Sequence, residues 1–134
     1  MKTVLVSCSL VLSILVSACK PPTSTDQTID RAVIAYISDF SVPDSVKQDS
    51  IAVTIKGTIG YTEDYSFDRI NVSRTDSIFN IGVWGRQVYK SSINYAYRPV
   101  LVDTTLILST PLHGKYYIEL GAQQGVFVDT TFVR

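Results

Sequence analysis

The chain has 134 residues, with 12 Lys and Arg balanced by 12 Asp and Glu, one His, two Cys and 46% hydrophobic residues. A neutral balance with no basic cluster excludes a nucleic-acid binder and a polybasic membrane contact. The dispersed glycines contain neither a Gly-x-Gly-x-x-Gly run nor a phosphate loop, which excludes nucleotide chemistry.

In chain order, Lys2 supplies a positive start, residues 3–15 an apolar run, and Ser17-Ala18 the small side chains that a signal peptidase needs at its cleavage point. Cys19 follows at once, and Val16-Ser17-Ala18-Cys19 resembles the lipobox of bacterial lipoproteins. That resemblance implies cleavage after Ala18, a diacylglycerol on the Cys19 thiol, a palmitate-type acyl chain on its new amine, and a membrane partner reached through the lipid. Two or more acyl chains hold firmly, each buried methylene contributing about 0.8 kcal/mol. A transmembrane helix needs about 20 apolar residues, whereas this run stops at Cys19 with Pro21-Pro22 behind it. An ordinary secretory signal is the remaining alternative, and it would leave Cys19 free. Leu5-Val6-Ser7-Cys8 has a similar look, but Thr3 and Val4 alone separate it from Lys2, so Cys8 is read as a signal-peptide residue.

Removing residues 1–18 from 134 leaves 116, one domain's worth, with no thiol available for a disulfide or a metal site once Cys19 is lipidated. The expected organisation is a lipoprotein signal peptide over 1–18, a lipidated Cys and flexible tether over 19–30, and a folded domain over 31–134. The tether, Lys-Pro-Pro-Thr-Ser-Thr-Asp-Gln-Thr-Ile-Asp, lacks apolar periodicity, and ten such residues span roughly 15–30 Å. Lys20 stands where lipoprotein sorting reads the chain, and the inner-membrane retention residue Asp is absent there. The resemblance therefore implies the outer membrane, with the leaflet open.

From Ala32 onward the hydrophobic period is 2 and no helical pattern appears. Residues 32–37 read as a first strand and Pro43-Asp44 as a turn. Over residues 50–61, Ile51, Val53, Ile55, Ile59 and Tyr61 share one face, and Gly57 on that face marks a close neighbour or a bulge. Further strands fall at 65–74, 78–85, 97 or 100 to 108, 115–120 and 126–133. They are separated by Thr62-Glu63-Asp64, Arg74-Thr75-Asp76, a longer 86–96 segment, residues 110–114 and residues 121–125. The expectation is all-β: a β-sandwich of about seven antiparallel strands with Greek-key connections.

Gly114-Lys115-Tyr116-Tyr117-Ile118-Glu119-Leu120 resembles the sixth strand of bacterial immunoglobulin-like modules, which implies an immunoglobulin-like Greek key with Tyr116 as its corner tyrosine. Pro43-Asp44-Ser45-Val46 leading into Asp49-Ser50-Ile51-Ala52-Val53 resembles the approach to the second strand. Tyr65-Ser66-Phe67-Asp68-Arg69-Ile70-Asn71-Val72 and Ile81-Gly82-Val83-Trp84-Gly85, with the lipobox, resemble small lipoproteins built on one such domain, a group with no activity to carry over. Cysteines common in that group near Asp64 and in the 91–97 loop are absent here.

No catalytic constellation appears, and no enzyme or cofactor is expected. His113 stands alone in a Pro-Leu-His-Gly turn without a nucleophile beside it. Glu63, Asp64 and Asp68 have oxygen ligands but no calcium-loop spacing, so they read as a solvated acidic turn and no metal site is assigned. Trp84, Tyr89, Tyr95 and Tyr97, with Arg86, Lys90 and Arg98 among them, form the candidate ligand-binding set, able to stack on sugars or peptide side chains. Trp84 has the opposite parity to Phe79, Ile81 and Val83, so one set fills the core and the other faces out. An immunoglobulin-like core that buries its Trp favours Trp84 inside.

Five triplets, at Asp44-Ser45, Asp49-Ser50, Asp76-Ser77, Asp103-Thr104 and Asp129-Thr130, continue with an aliphatic residue or Thr. They resemble an O-glycosylation signal of exported proteins in one group of Gram-negative bacteria, which makes Ser45, Ser50, Ser77, Thr104 and Thr130 candidate acceptors. The same triplets also serve as turn chemistry where strands begin. The expected role is a lipid-anchored, non-catalytic binding or accessory module of the cell envelope whose partner is a glycan or an envelope protein. The alternatives are a carbohydrate-binding module using exposed aromatics and a structural subunit of a surface assembly.

Overall fold

Strict alternation of apolar and polar residues has one low-energy solution, a strand with one face in the core. The computed structural model describes residues 25–47 and 49–134, and these fold as nine strands. The expected signal peptide, Cys8, Cys19 and Lys20 lie outside the described residues. The strands are β1 (Thr28–Ile34), β2 (Tyr36–Ser41), β3 (Ser45–Val46), β4 (Ser50–Thr62), β5 (Tyr65–Thr75), β6 (Ile78–Lys90), β7 (Tyr97–Ser109), β8 (Gly114–Ala122) and β9 (Gly125–Val133). They form a six-stranded sheet packed on a three-stranded sheet, β2-β4-β7, as a sandwich.

The 13-residue β6 is the spine of the larger sheet. Along one edge it pairs with β5 in a hairpin whose turn is Asp76-Ser77, with Asp76 at φ 52°, a left-handed conformation that Asp tolerates better than most residues. The other edge is shared. β8 runs parallel to residues 78–82, and β1 runs antiparallel to residues 84–90. At the changeover the Val83 carbonyl accepts the Ala35 amide at 2.9 Å. β9 pairs with β8, and the short β3 adds in parallel to β9. The chain thus enters at Thr28 beside Lys90, while the β5–β6 turn and the β7–β8 loop stand at the opposite end of β6, about 40 Å away at 3.3 Å per residue.

Ile51, Val53 and Ile55 of β4 are fully enclosed together with Val83 of β6 and Ile118 and Leu120 of β8. Full burial of one such side chain contributes about 1.5–3 kcal/mol. Gly57 lies on this inner face because β2 crosses it closely: a Cβ there would stand 2.4 Å from the Tyr36 carbonyl oxygen. The Tyr116 hydroxyl donates to the Leu112 carbonyl, four residues upstream, at 2.9 Å.

The all-β, two-sheet expectation holds, but there are nine strands rather than about seven, and the β6–β8 and β3–β9 pairings are parallel rather than antiparallel. The single strand expected over residues 32–37 is two, because the wholly buried Ala35 carries the chain from one sheet to the other. Its start also moves forward, since Thr28–Arg31, in which Ile29 is the lone apolar residue, already pairs with β6. Tyr61 leaves the core face: register shifts on either side of Gly60 insert an extra inward position, so Tyr61 emerges 54% exposed. The loop expected from Arg86 shrinks to residues 91–96 because β6 continues to Lys90.

Candidate binding face

Phe79, Ile81 and Val83 fill the core, so the alternate residues of β6, Asn80, Gly82 and Trp84, point away from it. Trp84 is therefore on the outer face of the larger sheet, partly covered, and not in the core where the fold class favoured it. Its cross-strand neighbours are Arg69 on β5 and Ile34 on β1. Gly82 lets the indole lie along the strand, because a Cβ there would meet the indole nitrogen at 2.7 Å. The ring borders a shallow depression of about 340 Å³ whose walls are Ile34, Asn71, Ser73, Asn80, Glu119 and Val126.

The outward positions of three neighbouring strands converge at this place. Asn71 pairs across from Gly82, Ser73 from Asn80, and Asn80 from Glu119. Two amides, a hydroxyl and a carboxylate supply both donors and acceptors beside an apolar plate. Such an arrangement has the chemistry to receive a flat apolar surface on the indole and polar groups at its edge. Sequence reasoning missed Asn71, Ser73, Asn80 and Glu119, although strand parity relative to Ile70 of β5, Ile81 of β6 and Ile118 of β8 would have placed all four outward.

The other aromatics of the candidate set do not join Trp84. Tyr89 and Tyr95 pack on each other with centroids 5.7 Å apart. The Tyr95 hydroxyl donates to the Val88 carbonyl at 3.2 Å and accepts the Lys90 amide at 2.9 Å, fastening the 91–96 loop. Tyr97 belongs to the other sheet, 74% exposed and stacked on Tyr61 at 6.3 Å and 13°. The four residues thus occupy three separate places.

The acidic turn is divided as well. Asp64 turns inward and is nearly buried, contrary to the expected solvated cluster. It accepts hydrogen bonds from the Thr62 hydroxyl and from the Gln87 amide at 2.7 Å, and Gln87 in turn accepts from Arg31 of β1 at 2.8 Å. Burial raises the Asp64 carboxyl, but the hydrogen bonds from Thr62, Gln87 and its own backbone outweigh that and hold it below the ordinary carboxylate range. Asp68 pairs with Arg69. Arg86 grips Asp30 in a two-pronged pair, which lowers the Asp30 carboxyl, chiefly through the hydrogen bond, and ties β1 to β6. Of the five candidate glycosylation acceptors, Ser45 is exposed, whereas Ser50, Ser77, Thr104 and Thr130 are partly buried. His113 stands exposed in the β7–β8 loop.

Comparison with protein families, with characterised proteins and with solved structures finds no match to this chain. The class defined by the fold and the site is a small all-β sandwich carrying an aromatic and polar face on its larger sheet.

Proposed function

We propose that the protein is a lipid-anchored, non-catalytic module of the cell envelope, held through Cys19 at the outer membrane, that binds glycans on the Trp84 face. The observation that carries this reading is the placing of Trp84 over Gly82 with Asn71, Ser73, Asn80 and Glu119 around it. A core tryptophan would have no such surroundings. The sandwich is read as an immunoglobulin-like module in which β6 carries a second partner, β1, supported by the corner bond of Tyr116 to Leu112. Ser45 is the acceptor of choice among the Asp-Ser/Thr triplets because it is the exposed one.

The test is affinity electrophoresis of the full chain in gels containing dextran, galactan, xylan or polygalacturonate, beside a Trp84→Ala variant. Retardation of the parent in at least one gel, reduced at least tenfold in the variant at an unchanged melting temperature, is the expected outcome. Free migration of the parent in every gel, or equal retardation of the variant, would overturn the glycan reading.

A further inference from the structure

At the end of β6 farthest from where the chain enters, the β5–β6 turn and the β7–β8 loop enclose a second cavity of about 490 Å³. Arg74, Lys115 and His113 line it together with Asp76, Ser77 and the Tyr116 ring. Two cations and an imidazole thus face one carboxylate, in a chain whose net charge is zero. Neither cation has an ion-pair partner, the ion pairs among the described residues being Arg69–Asp68 and Arg86–Asp30, and Asp76 is the one carboxylate that lines the cavity beside them. Both cations lie against aromatic rings, and Arg74 also donates to the Ser109 carbonyl at 3.5 Å. The Arg74 guanidinium lies 6.0 Å from the Phe79 ring centroid and the Lys115 ammonium 5.0 Å from that of Tyr117.

The cavity meets the Trp84 face along β8 only: Arg74, paired across from the buried Phe79 and donating to the Ser109 carbonyl of β7, reaches it from the inner side at the end of the sheet. Tyr116, Ile118 and Leu120 of β8 are buried, so Lys115, Tyr117, Glu119 and Gly121 alternate outward along the same strand. Lys115 lines the far cavity, while Glu119 and Gly121 line the Trp84 depression. Tyr117 lies between them, with a span of about 20 Å from Lys115 to Gly121 at 3.3 Å per residue. The charge along the track is uneven: Trp84 has the Glu119 carboxylate, amides and an Arg69 already paired with Asp68 around it, whereas Arg74 and Lys115, without ion-pair partners, stand at the far end.

We propose that the ligand of this face is an acidic saccharide, with a neutral sugar ring stacked on Trp84 and a carboxylate- or sulfate-bearing residue seated between Arg74 and Lys115. The inference rests on the glycan reading of the Trp84 face and adds the chemical class of the ligand and its direction along β8. Arg74 supplies a planar fork that suits carboxylate and sulfate oxygens, and Lys115 a point charge. Ser77 adds a hydroxyl donor. Glu119 beside Trp84 repels an anion at that end, so the negative group binds at the far one.

Equilibrium titration of the full chain in detergent micelles, by calorimetry, tests this with two pairs of probes matched in backbone and differing in charge: polygalacturonate against its methyl ester, and dextran sulfate against dextran. The expected result is at least tenfold tighter binding of the charged member of one pair, which also identifies the anion as carboxylate or sulfate. Arg74→Gln with Lys115→Gln removes that preference, and Arg74→Lys with Lys115→Arg retains most of it. Trp84→Ala weakens the charged and neutral members alike. Equal binding of both members of each pair, with no effect of the glutamine pair, would overturn the acidic ligand while leaving a neutral glycan site. Binding of polyanion that survives Trp84→Ala unchanged would overturn it too, as charge attraction alone. No binding of any probe would fail the glycan reading itself, and the inference with it.

Discussion

A carboxylate in a Thr-Glu-Asp turn reads as solvated, yet Asp64 closes a chain of hydrogen bonds from Thr62 through Gln87 to Arg31. Its carboxyl is held below the ordinary value, so the stability it contributes is complete above the unfolded pKa, about 4, and is lost as pH falls through the folded one. Asp64→Asn is therefore expected to melt lower than the parent at pH 7, with the gap closing as pH drops below about 4. A gap that stays constant from pH 7 to pH 3 would show that the charge contributes nothing. Sequence spacing hides this role because the partners Gln87 and Arg31 lie on distant strands. Trp84 was more legible. Its parity against Phe79, Ile81 and Val83 and the Gly two residues before it both point outward, and a preference for a buried Trp in this fold class outweighed them.

Elements whose partners are close in sequence were read best. The β5–β6 and β8–β9 hairpins stand within a few residues of their expected bounds, since period-2 patterning and short polar turns are local signals. Their docking was not legible. The tip of the β8–β9 hairpin reaches the other sheet: the Gln123 amide donates to the Ala35 carbonyl at 2.9 Å, and the Gln124 side chain bonds both the amide and the carbonyl of Ile37. Each such bond has a net value of about 0.5–1.5 kcal/mol. Gln124→Ala is accordingly expected to destabilise by about 1–3 kcal/mol in urea titration, while Gln123→Ala, whose contact is through the backbone, changes stability by less than about 0.5 kcal/mol. Equal effects of the two would mean that the side-chain clasp does not hold the sheets together. Strand β1 illustrates the same limit, because Thr28-Ile29-Asp30-Arg31 has no apolar alternation and becomes a strand only through β6 and the Asp30–Arg86 pair.

Taken whole, the molecule has two unlike ends. The chain enters at Thr28 beside Lys90, and the cationic cavity of Arg74, His113 and Lys115 lies at the other end of β6. Cys19 and Thr28 are nine positions apart, a reach of about 30 Å when extended. A lipid on Cys19 would therefore hold the near end toward the bilayer and present the far end to the surroundings. Intact mass of the protein taken from its native membrane checks the anchor. The expected mass is that of residues 19–134 plus acyl chains, lost in Cys19→Ala, with any surplus in hexose-sized steps reporting glycosylation and disappearing in Ser45→Ala. An unmodified mass in the soluble fraction would overturn the anchor.

The sequence by itself determined the class of this protein: period-2 patterning over the last hundred residues, short polar turns and no thiol in the domain leave a two-sheet β-sandwich held by packing. Those signals are local, each strand announcing its inner and outer face through its own alternation. Only the tertiary structure decided that β6 divides its edge between β8 and β1, that Ala35 passes between the sheets, and that the outward residues of β5, β6 and β8 meet around Trp84. Pairing is a contact between segments tens of residues apart. Its choice depends on how the whole set of strands buries its apolar faces at once, and no single strand's sequence contains that sum.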